Sequence, residues 1–482
     1  MSDTEPHSLR SDDAASLAAD SSSDEHSTST SSSVDGSNTD PSSADRLPGP
    51  RGLPLIGSTL SIARDPIAFL ESARKYGDIV SYGAYGTEFA LVYDPHVVEA
   101  VLVSRSDEFD KGEFETEFGE LIAPDGIAFT EGERWRRQRT LLQSSFTPDR
   151  IHAVADEMVA EADALVDGWD DGDIVSLRDG LATYSVRVLA RTLFDLPLED
   201  DRTRTVTRAA TAVNEYASPR RLAVGSLIPS WVPDRVGREY ETAMAGLEEL
   251  VTELVTERRR TDTTGDDLLS VLARAEYPDG SRLSPDEIRD QLVTFLFAGH
   301  ETTSTTLAVA CWLLAGNPNL REKLESELET VCDNRDPAVG DLASLEYTEA
   351  VLREAMRLYP PVTGVYREPL TDAVLAGYRI SADTTLQLSA YGIHRDERWW
   401  DDPEAFHPER WLADTDRPEY AYFPFGGGPR HCLGMRFAMV ELQLALASIV
   451  SRVEFGRLTE TLEPSLGVTL DPGPLEARVR KR

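Results

Sequence analysis

The sequence predicts a mainly α fold with a small β region, formed by one large body behind a polar tail. Three observations predict it. Apolar residues recur with helical period over most of the stretch from Val97 to Leu314. Only four short segments read as strands, and they divide between the two ends of the chain. Residues 1–45 are Ser, Asp and Glu with almost no aromatic or branched side chains, too few to repay the entropy of ordering. The expected organisation is therefore a disordered acidic tail over 1–45 and a single domain over 46–482.

The folded part is expected to begin where Leu47 to Gly57 alternates Pro with Gly, as in a chain laid against a surface. The strand candidates are Ile79 to Tyr82, Phe89 to Val92, Val374 to Ile380 and Leu386 to Tyr391. The helix candidates are Val97 to Val103, Glu133 to Gln143, Ile151 to Trp169, Ser185 to Phe194, Arg238 to Arg259 and Ser284 to Leu314. The 261–266 stretch reads as a surface loop. The clearest start signal is at Ser284: it can cap, Pro285 suits a first turn whose N–H has no partner, and Glu287 completes a capping box. About 30 residues of helix would span about 45 Å, enough to cross the body. Polar residues in its apolar middle therefore need a reason.

Composition excludes several functions. With 85 acidic against 48 basic side chains the formal charge is −37, which repels phosphate backbones and anionic lipid heads and makes nucleic acid a poor partner. Molar salt shortens the reach of each charge to about 3 Å, so the acidity reads as adaptation to a salty, halophile-like cytoplasm. Cys311, Cys332 and Cys432 are too few and too widely spaced for a disulfide framework or a metal knuckle. Without a signal peptide or a span of roughly 20 apolar residues, the expectation is a soluble cytoplasmic protein with no membrane span.

The run Phe425-Gly-Gly-Gly-Pro-Arg-His-Cys-Leu-Gly434 carries the chemistry. Glycines let the backbone fold tightly against something flat or bulky. Cys432 lies just before a helix expected from about Gly434 to Val450, where unpaired N–H groups favour thiolate. A phosphate loop would need a preceding strand and a terminal Lys-Ser or Lys-Thr, which are missing. A cysteine nucleophile would need a positioned base, and adjacent His431 need not face it. A metal ligand and a purely structural loop stay open on composition alone.

This run resembles the haem-binding signature of the cytochrome P450 family, Phe-x-x-Gly-x-Arg-x-Cys-x-Gly, at Phe425, Gly428, Arg430, Cys432 and Gly434 without a departure. The resemblance implies haem b (iron protoporphyrin IX) with Cys432 as the proximal iron ligand, Arg430 on a propionate and Phe425 packed near the sulfur. Thiolate ligation pushes electron density through iron and favours O–O cleavage. Further matches fall in the family's order. Glu354 and Arg357 fit its Glu-x-x-Arg helix, sharing one face, and Arg410 matches the arginine that joins them in a structural lock. Trp135 and Arg139 resemble a propionate-binding pair, as does Arg367, with His394 a weaker candidate. In Ala298-Gly-His-Glu-Thr-Thr303, Glu301 and Thr302 stand where the family delivers protons to dioxygen, and a mid-helix Gly with a back-bonding Thr would open a local groove.

By likeness the fold is that of the family, and the activity is insertion of one oxygen atom from O2 into an apolar organic substrate such as a fatty acid, terpenoid or carotenoid. Ala298, Val362 and Thr363 are expected to line the pocket, with 113–129 and 209–231 covering it. No flavin or iron–sulfur motif is visible, so electrons are expected from a separate donor such as a ferredoxin with its reductase. Arg134, Arg136 and Arg137 form a candidate docking patch. Two rivals are a peroxide-driven peroxygenase of the same fold and a non-catalytic haem-binding or sensing protein. Peroxide users in the family often carry Arg-Pro in place of Glu301 and Thr302.

Overall fold

In the computed structural model, which describes residues 46–194, 200–216, 221, 234–260, 267–277 and 280–482, ten helices reach eleven residues or more. They are α1 Gly112–Ile122, α2 Gly132–Leu142, α3 Ala155–Asp167, α4 Leu177–Phe194, α5 Asp200–Tyr216, α6 Arg235–Arg260, α7 Pro285–Gly316, α8 Pro318–Cys332, α9 Glu346–Leu358 and α10 Met435–Arg452. The described residues belong to one compact unit. The expected tail over 1–45, the 261–266 loop and most of 217–233 lie outside the described residues.

The central helix α7 forms as its start signal dictates. Ser284 Oγ accepts from the Glu287 N–H at 3.1 Å, and Glu287 Oε2 accepts from the Ser284 N–H at 2.9 Å. Both groups would otherwise be orphaned at the helix mouth. From Leu307 to Leu314 every side chain of α7 is buried, so this half is the axis of the larger core. Packing against α4 is close enough that a Cβ at Gly299 would sit 3.0 Å from Leu189 Cδ2. No helix of the described residues is long and apolar enough to cross a membrane.

The second core lies under a five-stranded sheet of β1 Ile79–Ala84, β2 Thr87–Val92, β3 Phe109–Asp110, β4 Gly364–Pro369 and β5 Thr384–Ser389. Its order is β1-β2-β5-β4-β3. Only the β2·β5 pairing is parallel, with Leu91 opposite Gln387, and β4 runs antiparallel to β5 with Arg367 opposite Leu386. The sheet thereby places Arg367, from β4, in the interior.

Several expectations need correction. Val374 to Ile380 is a hairpin, Ala373–Leu375 with Tyr378–Ile380, because Ala376 and Gly377 turn the chain at φ 45° and 84°. The strand expected to reach Tyr391 ends at Ser389, whose side chain caps a short helical turn Ala390–Ile393. Ile151 to Trp169 is two helices, because Val154 leaves the helical region at φ −108°, ψ 6°. Val97 to Val103 is a short α-helix Pro95–Glu99 continued as a π-helical turn, Ala100–Ser104.

Candidate active site at the Cys432 loop

The Cys432 loop closes on itself: the Cys432 N–H donates to the Phe425 carbonyl at 2.9 Å. Gly426 and Gly428 adopt φ of 69° and 61°, a region costly for residues with a Cβ. At Gly428 a Cβ would also sit 1.7 Å from the Leu102 carbonyl oxygen, so no other residue fits. Gly434 opens α10, and its N–H reaches the cysteine sulfur. Burial pushes the Cys432 thiol up, opposed by that N–H and by the nearby Arg139 charge. Desolvation thus outweighs the helix-mouth effect expected from the sequence. Cys432 itself is exposed at the mouth of α10.

Cations gather beside this loop. Arg430 donates to the Thr130 carbonyl at 3.0 Å, pairs with Glu131 at 2.9 Å and lies 4.5 Å over the Trp135 ring. Burial, and then the charge of Arg367, push it down to about 10. Arg367 is itself buried, donates to the Tyr366 carbonyl at 2.6 Å and lies 3.6 Å from Glu115. Lys111, buried in the same neighbourhood, pairs with Glu115 at 2.7 Å and is pushed down by desolvation. Three interior cations thus share two carboxylate partners. Arg139 stands apart from this group: it donates to the His431 carbonyl at 2.9 Å and contacts the His431 ring at 3.1 Å, beside Cys432.

The middle of α7 supplies the groove. Thr302 Oγ1 donates to the Ala298 carbonyl one turn back at 2.7 Å, and Thr306 repeats this to Thr302 at 2.8 Å. Such back-bonds loosen the helical ladder. Ala298 is exposed in the middle of a core helix and Thr302 half-exposed on the same face, while Glu301 is buried. Phe146 joins this helix to the cysteine helix, stacking on Phe295 at 5.5 Å and meeting Phe437 edge-on at 6.4 Å. Val362 is also exposed, and Thr363, partly buried, accepts the Tyr391 N–H at 3.1 Å. Of the stretch expected to cover the pocket, Ala209 and Val213 line an apolar pocket with Ile122, Val293, Leu296 and Phe297.

Glu354, Arg357 and Arg410 form one buried triad. Arg357 donates twice to Glu354, at 2.8 and 2.9 Å, and Arg410 once at 3.0 Å; the Trp411 indole and the His407 N–H complete the carboxylate's shell. His394 belongs here and not with the cations. Its carbonyl accepts from Arg357 at 2.7 Å, and its ring Nε2 accepts the Phe423 N–H at 3.0 Å. The triad therefore braces the chain two residues before Phe425. The arginine patch is thinner than expected, because exposed Arg134 is held by Asp125 and Glu287, Arg137 lies over the Tyr277 ring, and exposed Arg136 stands 3.8 Å from Glu133. Sequence reasoning missed Lys111 and Phe146; neither has a local pattern, though Lys111 is one of only four lysines.

A thiol-bearing loop under a grooved helix, with interior cations short of anions, is a donor set that fits a flat dicarboxylate metal macrocycle. The cytochrome P450 family model matches residues 47–476. The chain belongs to the cytochrome P450 family. It is 34% identical over 84% of its length to the cyclooctat-9-en-7-ol 5-monooxygenase of Streptomyces melanosporofaciens, covering 88% of that protein. The pentalenene oxygenase of Streptomyces avermitilis is 33% identical over 84% of this chain and 90% of its own. A solved structure titled "Retinoic acid bound cyanobacterial CYP120A1" superposes with a TM-score of 0.81 at 24% identity, covering 91% of this chain and all of that one. The mainly α fold with its minor β region is that of cytochromes P450. This P450 is accordingly a monooxygenase that inserts oxygen into an organic substrate at a thiolate-bound haem.

Proposed function

We propose that Cys432 is the proximal thiolate ligand of haem b, and that this chain oxygenates an apolar, terpenoid-like molecule. The observation that carries the ligand assignment is the exposed Cys432 in a loop that its own backbone closes, with a sulfur that the Gly434 N–H serves. A hydrogen bond to sulfur favours the anion a metal ligand must be. Arg430, Arg367 and Lys111 would hold the propionates; Trp135 stacks under Arg430, while Arg139 attends the Cys432 side. Phe425 and the glycines Gly428 and Gly434 keep the loop flat. Bound haem supplies dioxygen activation by one-electron steps.

The remaining steps belong to the chain. Glu301 and Thr302 would hold and pass protons into the groove, with Thr302 Oγ1 releasing the Ala298 carbonyl to do so. Their presence favours dioxygen over the peroxide-driven reading. Ala298, Val362 and Thr363 would present small or apolar surface to the substrate. The relatives' names, cyclooctat-9-en-7-ol and pentalenene, denote unsaturated carbon skeletons, which supports an apolar alkene-bearing substrate over a polar one. Electrons would come from a separate protein such as a ferredoxin with its reductase, and Arg136 is an exposed cation on α2 at which to test its docking. The excess of acidic side chains supports a salt-rich cytoplasmic setting.

The deciding experiment is the absorption spectrum of the reduced, carbon-monoxide-bound protein. Wild type should give the red-shifted thiolate band, and Cys432→Ser should not. Pentalenene, retinoic acid and a long-chain fatty acid are then titrated against the ferric spin state, where a shift with the fatty acid alone would overturn the terpenoid reading.

A further inference from the structure

His300 sits between Gly299 and Glu301 in the middle of α7, with 2% of its surface exposed. Neither ring nitrogen has a hydrogen-bond partner. Its Nδ1 lies 3.7 Å from Glu301 Oε2, just beyond hydrogen-bond reach and within a small side-chain adjustment of it. A buried donor and acceptor left unmatched are costly, and natural folds keep few of them. An apolar ring would fill the same space without that cost, so packing alone does not account for an imidazole.

We propose that His300 is a proton-relay group that feeds Glu301 from the side of α7 turned to α4. The inference rests on the reading of Glu301 and Thr302 given above. A neutral imidazole suits the task because it carries one N–H and one lone pair at opposite ends. Burial, and then the Arg178 charge from α4, push His300 down to about 4, so the ring stays neutral near pH 7. Arg178 itself pairs with Asp471 at 3.2 Å and is about one-third exposed. The Nδ1–H bond breaks as an O–H bond forms on the Glu301 carboxylate, while Nε2 takes a solvent-borne proton from hydronium, which is left as water. No electrons are lost or gained, and the ring resets by exchanging its tautomer. Because no imidazolium accumulates, a depressed basicity does not block the transfer.

The test uses the full chain loaded with haem, reduced with dithionite and mixed with dioxygen, and times its return to the ferric spectrum in H2O and D2O. His300→Phe and His300→Gln should both slow the return by about tenfold, short of the roughly 100-fold or more that a direct general acid supplies, and should enlarge the solvent isotope effect. Glu301→Gln should slow it at least as much, and Glu301→Gln with His300→Phe should be no slower than Glu301→Gln alone. A His300→Phe protein that returns at the wild-type rate while Glu301→Gln is slow sinks the relay alone. If Glu301→Gln is itself unchanged, the reading of the groove falls and takes the relay with it. A second readout needs no turnover: in the reduced carbon-monoxide form, 15N spectra should show His300 neutral at pH 7 with a tautomer ratio that shifts on Glu301→Gln. An imidazolium signal there would overturn the proposal, as would indifference to residue 301.

Discussion

Glu354 accepts five hydrogen bonds, two from Arg357 and one each from Arg410, the Trp411 indole and the His407 N–H. Arg357 sends its remaining donors to the His394, Pro403 and Ala405 carbonyls. Both side chains are wholly buried, so removing one strands the other's charge, at a cost of about 3–5 kcal/mol. Arg357→Ala is therefore expected to lower the melting temperature sharply and to reduce haem content per chain, because the His394 link to Phe423 loosens the base of the cysteine loop. Haem-to-protein ratio and calorimetry would check it, and a variant with full haem content would contradict the brace. This part of the site was legible in the sequence because Glu354 with Arg357 and the Phe425–Gly434 run are local patterns. Lys111 was not: its partner Glu115 is near in sequence, but its role comes from Arg367 and Arg430 arriving from other elements. The place of His394 was hidden too, because only the tertiary path shows that its ring serves a backbone N–H.

Helix α10 is tied to α4 through a buried carboxyl. Ser185 Oγ donates to Glu441 Oε1 at 3.3 Å, while Oε2 has no hydrogen-bond partner. Tyr184 from α4 adds a hydroxyl without a partner, and Glu161 from α3 is already paired with Arg191 at 2.5 Å. Burial pushes Glu441 up to about 8. The folded state therefore keeps the proton between the ordinary value near 4.5 and about 8 while the unfolded chain releases it, so stability falls as pH rises through that window. A shift of this size is worth on the order of 5 kcal/mol. Glu441→Gln keeps an acceptor for Ser185 and removes the ionisation. It should raise the melting temperature most above pH 8, with the advantage vanishing below about pH 4.5. A Gln variant that melts lower at pH 8 would mean that the carboxylate is charged and served. Elements such as α7 were legible because their signals are local: a capping box, a first-turn proline and a helical period. The hairpin at 373–380 was not, because its turn is made by Ala376 at positive φ, an uncommon residue for that region. The small sheet of 174–176, 453–457 and 476–481 was also missed, since the pairing of 476–478 with 174–176 joins segments some three hundred residues apart.

The molecule as a whole carries far more negative than positive charge, and its ion pairs do not remove the excess. Residues 1–45 hold ten of the acidic side chains and one arginine, so most of the imbalance falls on the chain from Arg46 onward. Exposed pairs such as Arg282 with Glu276 contribute about 0–1 kcal/mol each and weaken as salt rises. Self-repulsion among the remaining carboxylates acts over the whole surface and is screened by the same salt. With 85 acids against 48 bases, pairing every base still leaves 37 carboxylates unmatched, so relief of repulsion should outweigh the loss of pairs. The melting temperature is therefore expected to rise from dilute buffer to 1 M KCl. Potassium chloride is the informative salt, because sulfate would strengthen apolar burial in any protein and hide the effect. The same rise on moderate acidification is not expected to be clean, since Glu441 and the buried triad respond to protons on their own. A melting temperature that stays flat or falls in KCl would mean that the arginine pairs, rather than net charge, govern stability, and the salt-adapted reading would be lost.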